Sequence, residues 1–129
     1  MDLMKQKGKK ISPVKDVMNK FKYSFQGLAY CYTHETSFIF ETLGLIGIIV
    51  FGIIFKIEFM EWVFSLITML NIMQIELLNT GIEATVDMVT KEFNPYAKIA
   101  KDCGSAATFV ATMVAVIVHL YIYVPLIFF

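Results

Sequence analysis

Four residues of one short stretch, Glu76, Asn79, Glu83 and Asp87, are separated by three, four and four positions, so on a helix they form a single polar stripe. Three carboxylates and an amide in a row can take up protons or hold a divalent cation, and a cation held this way brings a nucleotide's phosphates with it. Glu35 and Glu41 lie just before and inside another apolar run and add acids at the same depth. Downstream, Lys101 followed by Asp102 offers a point positive charge suited to a phosphate, although a lysine at a helix end also serves as an interfacial anchor. The stripe cannot face lipid, because each ionisable group is costly there. It must face protein, water or ligand, unless Glu83 and Asp87 reach past the membrane interface and only Glu76 is buried.

Apolar residues make up 57% of the 129 residues and charged ones 17%, which excludes an ordinary water-soluble domain and implies a surface facing lipid. The expected fold is an all-α membrane protein of one domain over residues 1–129. A polar, lysine-rich tail covers 1–12. Ser12 and Pro13 then read as an N-cap and a first-turn proline. Val14, Val17, Met18, Phe21, Phe25, Leu28, Ala29 and Tyr32 recur at steps of three and four over 13–34, which predicts an amphipathic helix lying on the membrane surface.

Three membrane helices are expected at 36–55, 59–90 and 103–129, the second too long for the hydrocarbon layer, so that its last turns project beyond it. Asn94-Pro95 breaks the chain, and the lysines and acid between it and Cys103 read as a polar loop. Gly104, Thr108 and Thr112, and likewise Ala107, Ala111 and Ala115, repeat every four residues as a small-residue packing face.

There is no arginine, and seven of the eleven lysines fall between Lys5 and Lys22. With Lys91, Lys98 and Lys101 they place the N-terminus on the cytoplasmic side of the membrane and the C-terminus outside. A basic tail without a basic fold speaks against nucleic acid as a partner. Cys31 and Cys103 lack the close spacing of a zinc site and read as small apolar residues. None of the seven glycines forms a Gly-x-x-x-x-Gly-Lys loop, so phosphate must be held by some other device than a P-loop.

The string Ile75-Glu76-Leu77-Leu78-Asn79-Thr80-Gly81-Ile82-Glu83-Ala84-Thr85-Val86-Asp87, followed by Ala97-Lys98-Ile99-Ala100-Lys101-Asp102-Cys103-Gly104-Ser105-Ala106-Ala107, resembles the prokaryotic diacylglycerol kinase and undecaprenol kinase family. Tyr23-Ser24-Phe25, Gly27-Leu28 and Glu35 extend the resemblance over essentially the whole chain. It implies a homotrimer of three-span subunits with a surface helix, transferring phosphate from ATP to the hydroxyl of a membrane lipid alcohol. By position it implies Glu76 as the base acting on the lipid hydroxyl, and Glu35 and Glu83 as holders of the Mg²⁺ bound to ATP. Asn79, Asp87, Lys101 and Asp102 would line the nucleotide together with Tyr23, Glu92 and Asn94, and Ser105 would sit nearer the lipid.

Departures from the pattern occur at His34 and Ile99, near places that are basic in many family members, and Lys98 and Lys20 are the available substitutes. Gly104 to Ala107 is similar to the diacylglycerol kinases, whereas Val89 to Pro95 is similar to the undecaprenol branch; both acceptors stay open, with a lean toward the polyprenol. The rival reading is a small ion or proton translocator, which would spread acids through the depth of the membrane. The outer halves of the first and third spans carry none. A structural or pore-forming protein would need neither the stripe nor Lys101-Asp102.

Overall fold

In a computed structural model the described residues, 12–129, form four helices: α1 (Pro13–His34), α2 (Thr36–Phe55), α3 (Phe59–Val89) and α4 (Pro95–Phe128). The tail expected over 1–12 lies outside the described residues except for Ser12. No strand occurs among the described residues.

Three of these helices, α2, α3 and α4, are long and apolar enough to cross a membrane. Only 11% of the most apolar stretch of α2 and 17% of that of α4 is buried within the chain, so most of their apolar surface meets lipid or another protein surface. At 31 and 34 residues, α3 and α4 exceed the roughly 20 residues that the hydrocarbon layer needs. One end of each must therefore project into the polar zone.

The polar loop expected before Cys103 is helical instead. Pro95 occupies the first turn of α4, where its missing N–H costs nothing, and the Asn94 side chain accepts from the backbone N–H of Tyr96 (2.9 Å) and Ala97 (3.3 Å). The Asn-Pro pair thus starts a helix as well as ending the preceding one. Lys98, Lys101 and Asp102 consequently stand at fixed angular positions on α4.

The α3 and α4 pair carries the main packing. Gly104, Ala111 and Ala115 are buried along α4 with half-buried Thr108 among them, a seam at steps of four, three and four, which lets the two backbones approach. Ala107 is exposed, so the packing face combines members of the two triplets read from the sequence. Met69 and Ile72 of α3 meet Ala111 and Ala115 in the core.

Glu35, with extended backbone, forms the elbow between α1 and α2, and its N–H donates to Cys31 O at 2.8 Å. Tyr32 on one side of the elbow packs edge-on against the fully buried Phe38 on the other, and its hydroxyl meets Thr42 Oγ1 at 2.9 Å. These contacts fix where Glu35 points. At the opposite end, Glu61 caps the start of α3 by accepting from Glu58 N–H at 2.7 Å.

Candidate functional site

Glu76, Asn79 and Thr80 are the buried polar residues of α3 nearest its C-terminal third. Glu76 is 6% exposed, and its Oε2 accepts a hydrogen bond from Thr108 Oγ1 on α4 at 3.0 Å. One turn on, Asn79 Nδ2 donates to Glu83 Oε1 at 3.1 Å. A carboxylate only accepts, so the amide must turn its NH₂ to Glu83 and its Oδ1 toward α4. That oxygen is buried without a partner. It fits because residue 104 is glycine: a Cβ there would overlap Asn79 Oδ1.

These groups line one cavity of about 350 Å³ that collects Glu35 from the elbow, Glu76, Asn79 and Glu83 from α3, and Ser105 and Thr108 from α4. Five of the residues singled out in the sequence therefore share one space. A second cavity, of about 600 Å³, follows along α3 and takes in Asp87, Glu92, Asn94, Lys98, Lys101 and Asp102. There Lys101 Nζ donates to Asp87 Oδ1 at 2.6 Å, and Lys98 pairs with Asp102 one turn away on the same helix. The stripe of four is thus divided: three members serve the acid cavity, and Asp87 serves the lysine-lined one.

Two expectations fall outside both cavities. Tyr23 is about half exposed on α1 and lines neither, and Lys20 pairs with exposed Asp16 at 2.8 Å rather than reaching either cavity. Glu41 does not join the acids either. It lies about one turn further along and lines a separate apolar groove. The sequence reading missed Thr108 as a partner of Glu76, having counted it only among small packing residues. The signal was a hydroxyl in an apolar span, one turn after a glycine on the same face.

Among the described residues no three His, Cys, Asp or Glu side chains converge as a ready-made metal site. Two carboxylates, Glu35 and Glu83, do share the acid cavity. That donor set suits Mg²⁺, which ordinarily takes one or two protein carboxylates and completes its shell with phosphate oxygens and water. The residues fit a cation that arrives with a nucleotide.

Apolar helices long enough to span a bilayer, with a buried acid pocket beside a lysine-lined one at one end of the bundle, define a helical membrane protein with a polar site between α3 and α4. The chain belongs to the prokaryotic diacylglycerol kinase family, whose pattern matches residues 22–123. It is 30% identical over 112 residues to the undecaprenol kinase of Bacillus subtilis, covering 84% of this chain and 91% of that one. With the diacylglycerol kinase of Pseudomonas aeruginosa it shares 36% over 103 residues, 78% of this chain and 82% of the relative. The diacylglycerol kinase of Escherichia coli K12 is 33% identical over 95 residues, 74% and 78% of the two chains. The protein is a membrane lipid kinase.

Proposed function

We propose that this lipid kinase transfers the terminal phosphate of ATP to the hydroxyl of a membrane lipid alcohol, undecaprenol or diacylglycerol, with Glu76 as the general base. The observation that carries the reading is the single cavity into which three separate elements bring Glu35, Glu76, Asn79, Glu83 and Ser105. Thr108 holds one carboxylate oxygen of Glu76 and leaves the other to take the proton of the lipid hydroxyl. Ser105, at the rim of the same cavity, orients that hydroxyl.

Phosphoryl transfer asks for positioning and charge neutralisation more than for covalent chemistry. Glu35 and Glu83 hold the Mg²⁺ that accompanies ATP, and the cation supplies neutralisation of the phosphate charge. Asn79, tethered to Glu83, keeps that carboxylate aimed into the cavity. The nucleotide occupies the adjoining space, where Lys101 exchanges Asp87 for phosphate oxygens and Lys98, Asp102, Glu92 and Asn94 form the walls. Tyr23 takes part only if α1 brings it to the nucleotide.

The chain acts as one domain in a homotrimer in the bacterial cell membrane, with α1 on the cytoplasmic surface and the C-terminus outside. Exposed Val14, Val17, Met18, Phe21 and Phe25 on α1 and the large uncovered apolar faces of α2 and α4 support this arrangement.

The test is Glu76→Gln, assayed with Mg-ATP and lipid alcohol in mixed micelles. Loss of the base is expected to lower kcat by about 10²-fold or more while the KM for ATP stays within a few fold. Near-normal turnover of that variant would refute the assignment.

A further inference from the structure

The carboxylate of Glu35 is aimed by very little backbone. Glu35 is the single non-helical residue between His34, the last of α1, and Thr36, the first of α2, with φ −112° and ψ 107°. This is the broad extended region, where sterics leave each angle free over tens of degrees. Contacts between the two helices must therefore set the bend. Cys31 is the buried residue of α1, and most of that helix is exposed. Among the described residues one side-chain hydrogen bond joins α1 to another helix, between the Tyr32 hydroxyl and Thr42 Oγ1 at 2.9 Å.

Thr42 settles the direction of that bond. Its own hydrogen goes to Phe38 O, one turn back, at 2.9 Å, so it receives the hydrogen of Tyr32. Phe38 is fully buried and takes the Tyr32 ring edge-on, with centroids 4.8 Å apart. Tyr32, Phe38 and Thr42 thus close a latch across the elbow, one part before Glu35 and two after it. On the elbow's other side, Glu35 and Ser37 both line the acid cavity. A change in the bend moves both of them.

Mg²⁺ tolerates little movement of its ligands. It takes oxygens at about 2.0–2.1 Å in nearly regular octahedral geometry. A site shared between two elements keeps that geometry only if each carboxylate is held to within about 0.5 Å. Glu83 is steadied by Asn79 Nδ2 at 3.1 Å. Glu35 is tied through its backbone N–H, so the aim of its carboxylate depends on the elbow.

Building on the reading of Glu35 and Glu83 as holders of the cation, we propose that Tyr32 and Thr42 are positioning residues for the metal. Their hydroxyl pair locks the bend between α1 and α2 and so sets the affinity of the site for the cation that accompanies ATP. Neither residue lines the acid cavity or the lysine-lined one, so the pair acts only through Glu35.

The full-length protein in detergent is titrated with Mn²⁺, standing in for Mg²⁺, beside a non-hydrolysable ATP analogue, and free Mn²⁺ is read from its electron paramagnetic resonance signal. Tyr32→Phe, which keeps the ring contact, and Thr42→Val each raise the dissociation constant by about threefold to tenfold, the range expected for one neutral hydrogen bond. The double variant is no worse than the weaker single one, because both changes break the same bond. Thr42→Ser, which keeps the acceptor, stays near wild type. In the transfer assay the Mg²⁺ needed for half-maximal rate rises by the same factor, and the lipid KM does not move.

Single variants with wild-type Mn²⁺ affinity overturn the proposal, and a lowered thermal midpoint beside that affinity would make the pair a tie of the fold alone. Effects that multiply in the double variant overturn it as well, since the two side chains would then act separately. Glu35→Gln distinguishes the proposal from the reading beneath it and is expected to weaken Mn²⁺ at least tenfold. Unchanged Mn²⁺ affinity in that variant would remove Glu35 from the metal, and the latch would lose its purpose with it.

Discussion

Replacing Thr108 by valine keeps the shape of the side chain and removes the hydroxyl that donates to Glu76 Oε2 at 3.0 Å. A hydrogen bond to a charged group contributes about 1.5–3 kcal/mol. Glu76 is 6% exposed, so water does not simply take the place of the lost donor. If the bond serves to aim the carboxylate at the acceptor hydroxyl, its loss appears in the transition state, and at about 1.4 kcal/mol per tenfold the fall in kcat/KM for the lipid is about ten- to a hundredfold. The assay is transfer of labelled phosphate from ATP to lipid alcohol in mixed micelles, with each substrate varied in turn. Because Asp87 and Lys101 lie in the adjoining cavity, the KM for ATP stays within about twofold. Thr108→Ser, which keeps the hydroxyl, recovers most of the activity. A valine variant within twofold of wild type, or a serine variant as impaired as the valine one, would refute the idea that Thr108 positions the base.

Gly104→Ala places a methyl group against Asn79 Oδ1 and should cost about 1–3 kcal/mol of stability, seen as a lower thermal midpoint in detergent together with reduced activity; an unchanged midpoint would mean that Asn79 moves freely. Lys101→Met removes the one lysine that bridges α4 to the acid stripe, and the KM for ATP should rise tenfold or more with a smaller effect on the lipid KM; a selective rise in the lipid KM would place Lys101 on the wrong substrate. Chelation of Mg²⁺ should abolish transfer, and Glu83→Gln should raise the Mg²⁺ concentration needed for half-maximal rate by tenfold or more; an unaltered requirement would remove Glu83 from the metal.

Much was legible in the order of residues alone. The length and apolarity of the three runs required helices in lipid, and the three-four-four spacing of Glu76, Asn79, Glu83 and Asp87 put them on one face whatever lay opposite. Both follow from local geometry and the cost of charge in hydrocarbon, so no partner had to be known. The start of α4 at Pro95 was less legible, because Asn-Pro ends one helix and caps the next with the same two residues.

What α4 brought against α3 was decided only by packing. Thr108 becomes a ligand of Glu76, Gly104 admits the Asn79 oxygen, and Lys101 pairs with Asp87 through the register of two helices, which no spacing within either helix specifies. The same holds for Glu41 and Glu35, six residues apart on one stretch of chain: the elbow turns one into the acid cavity, and the helix after it points the other into an apolar groove. Periodicity places a side chain on a face of its own helix, whereas the neighbour that face meets depends on how helices distant in sequence approach and rotate against one another.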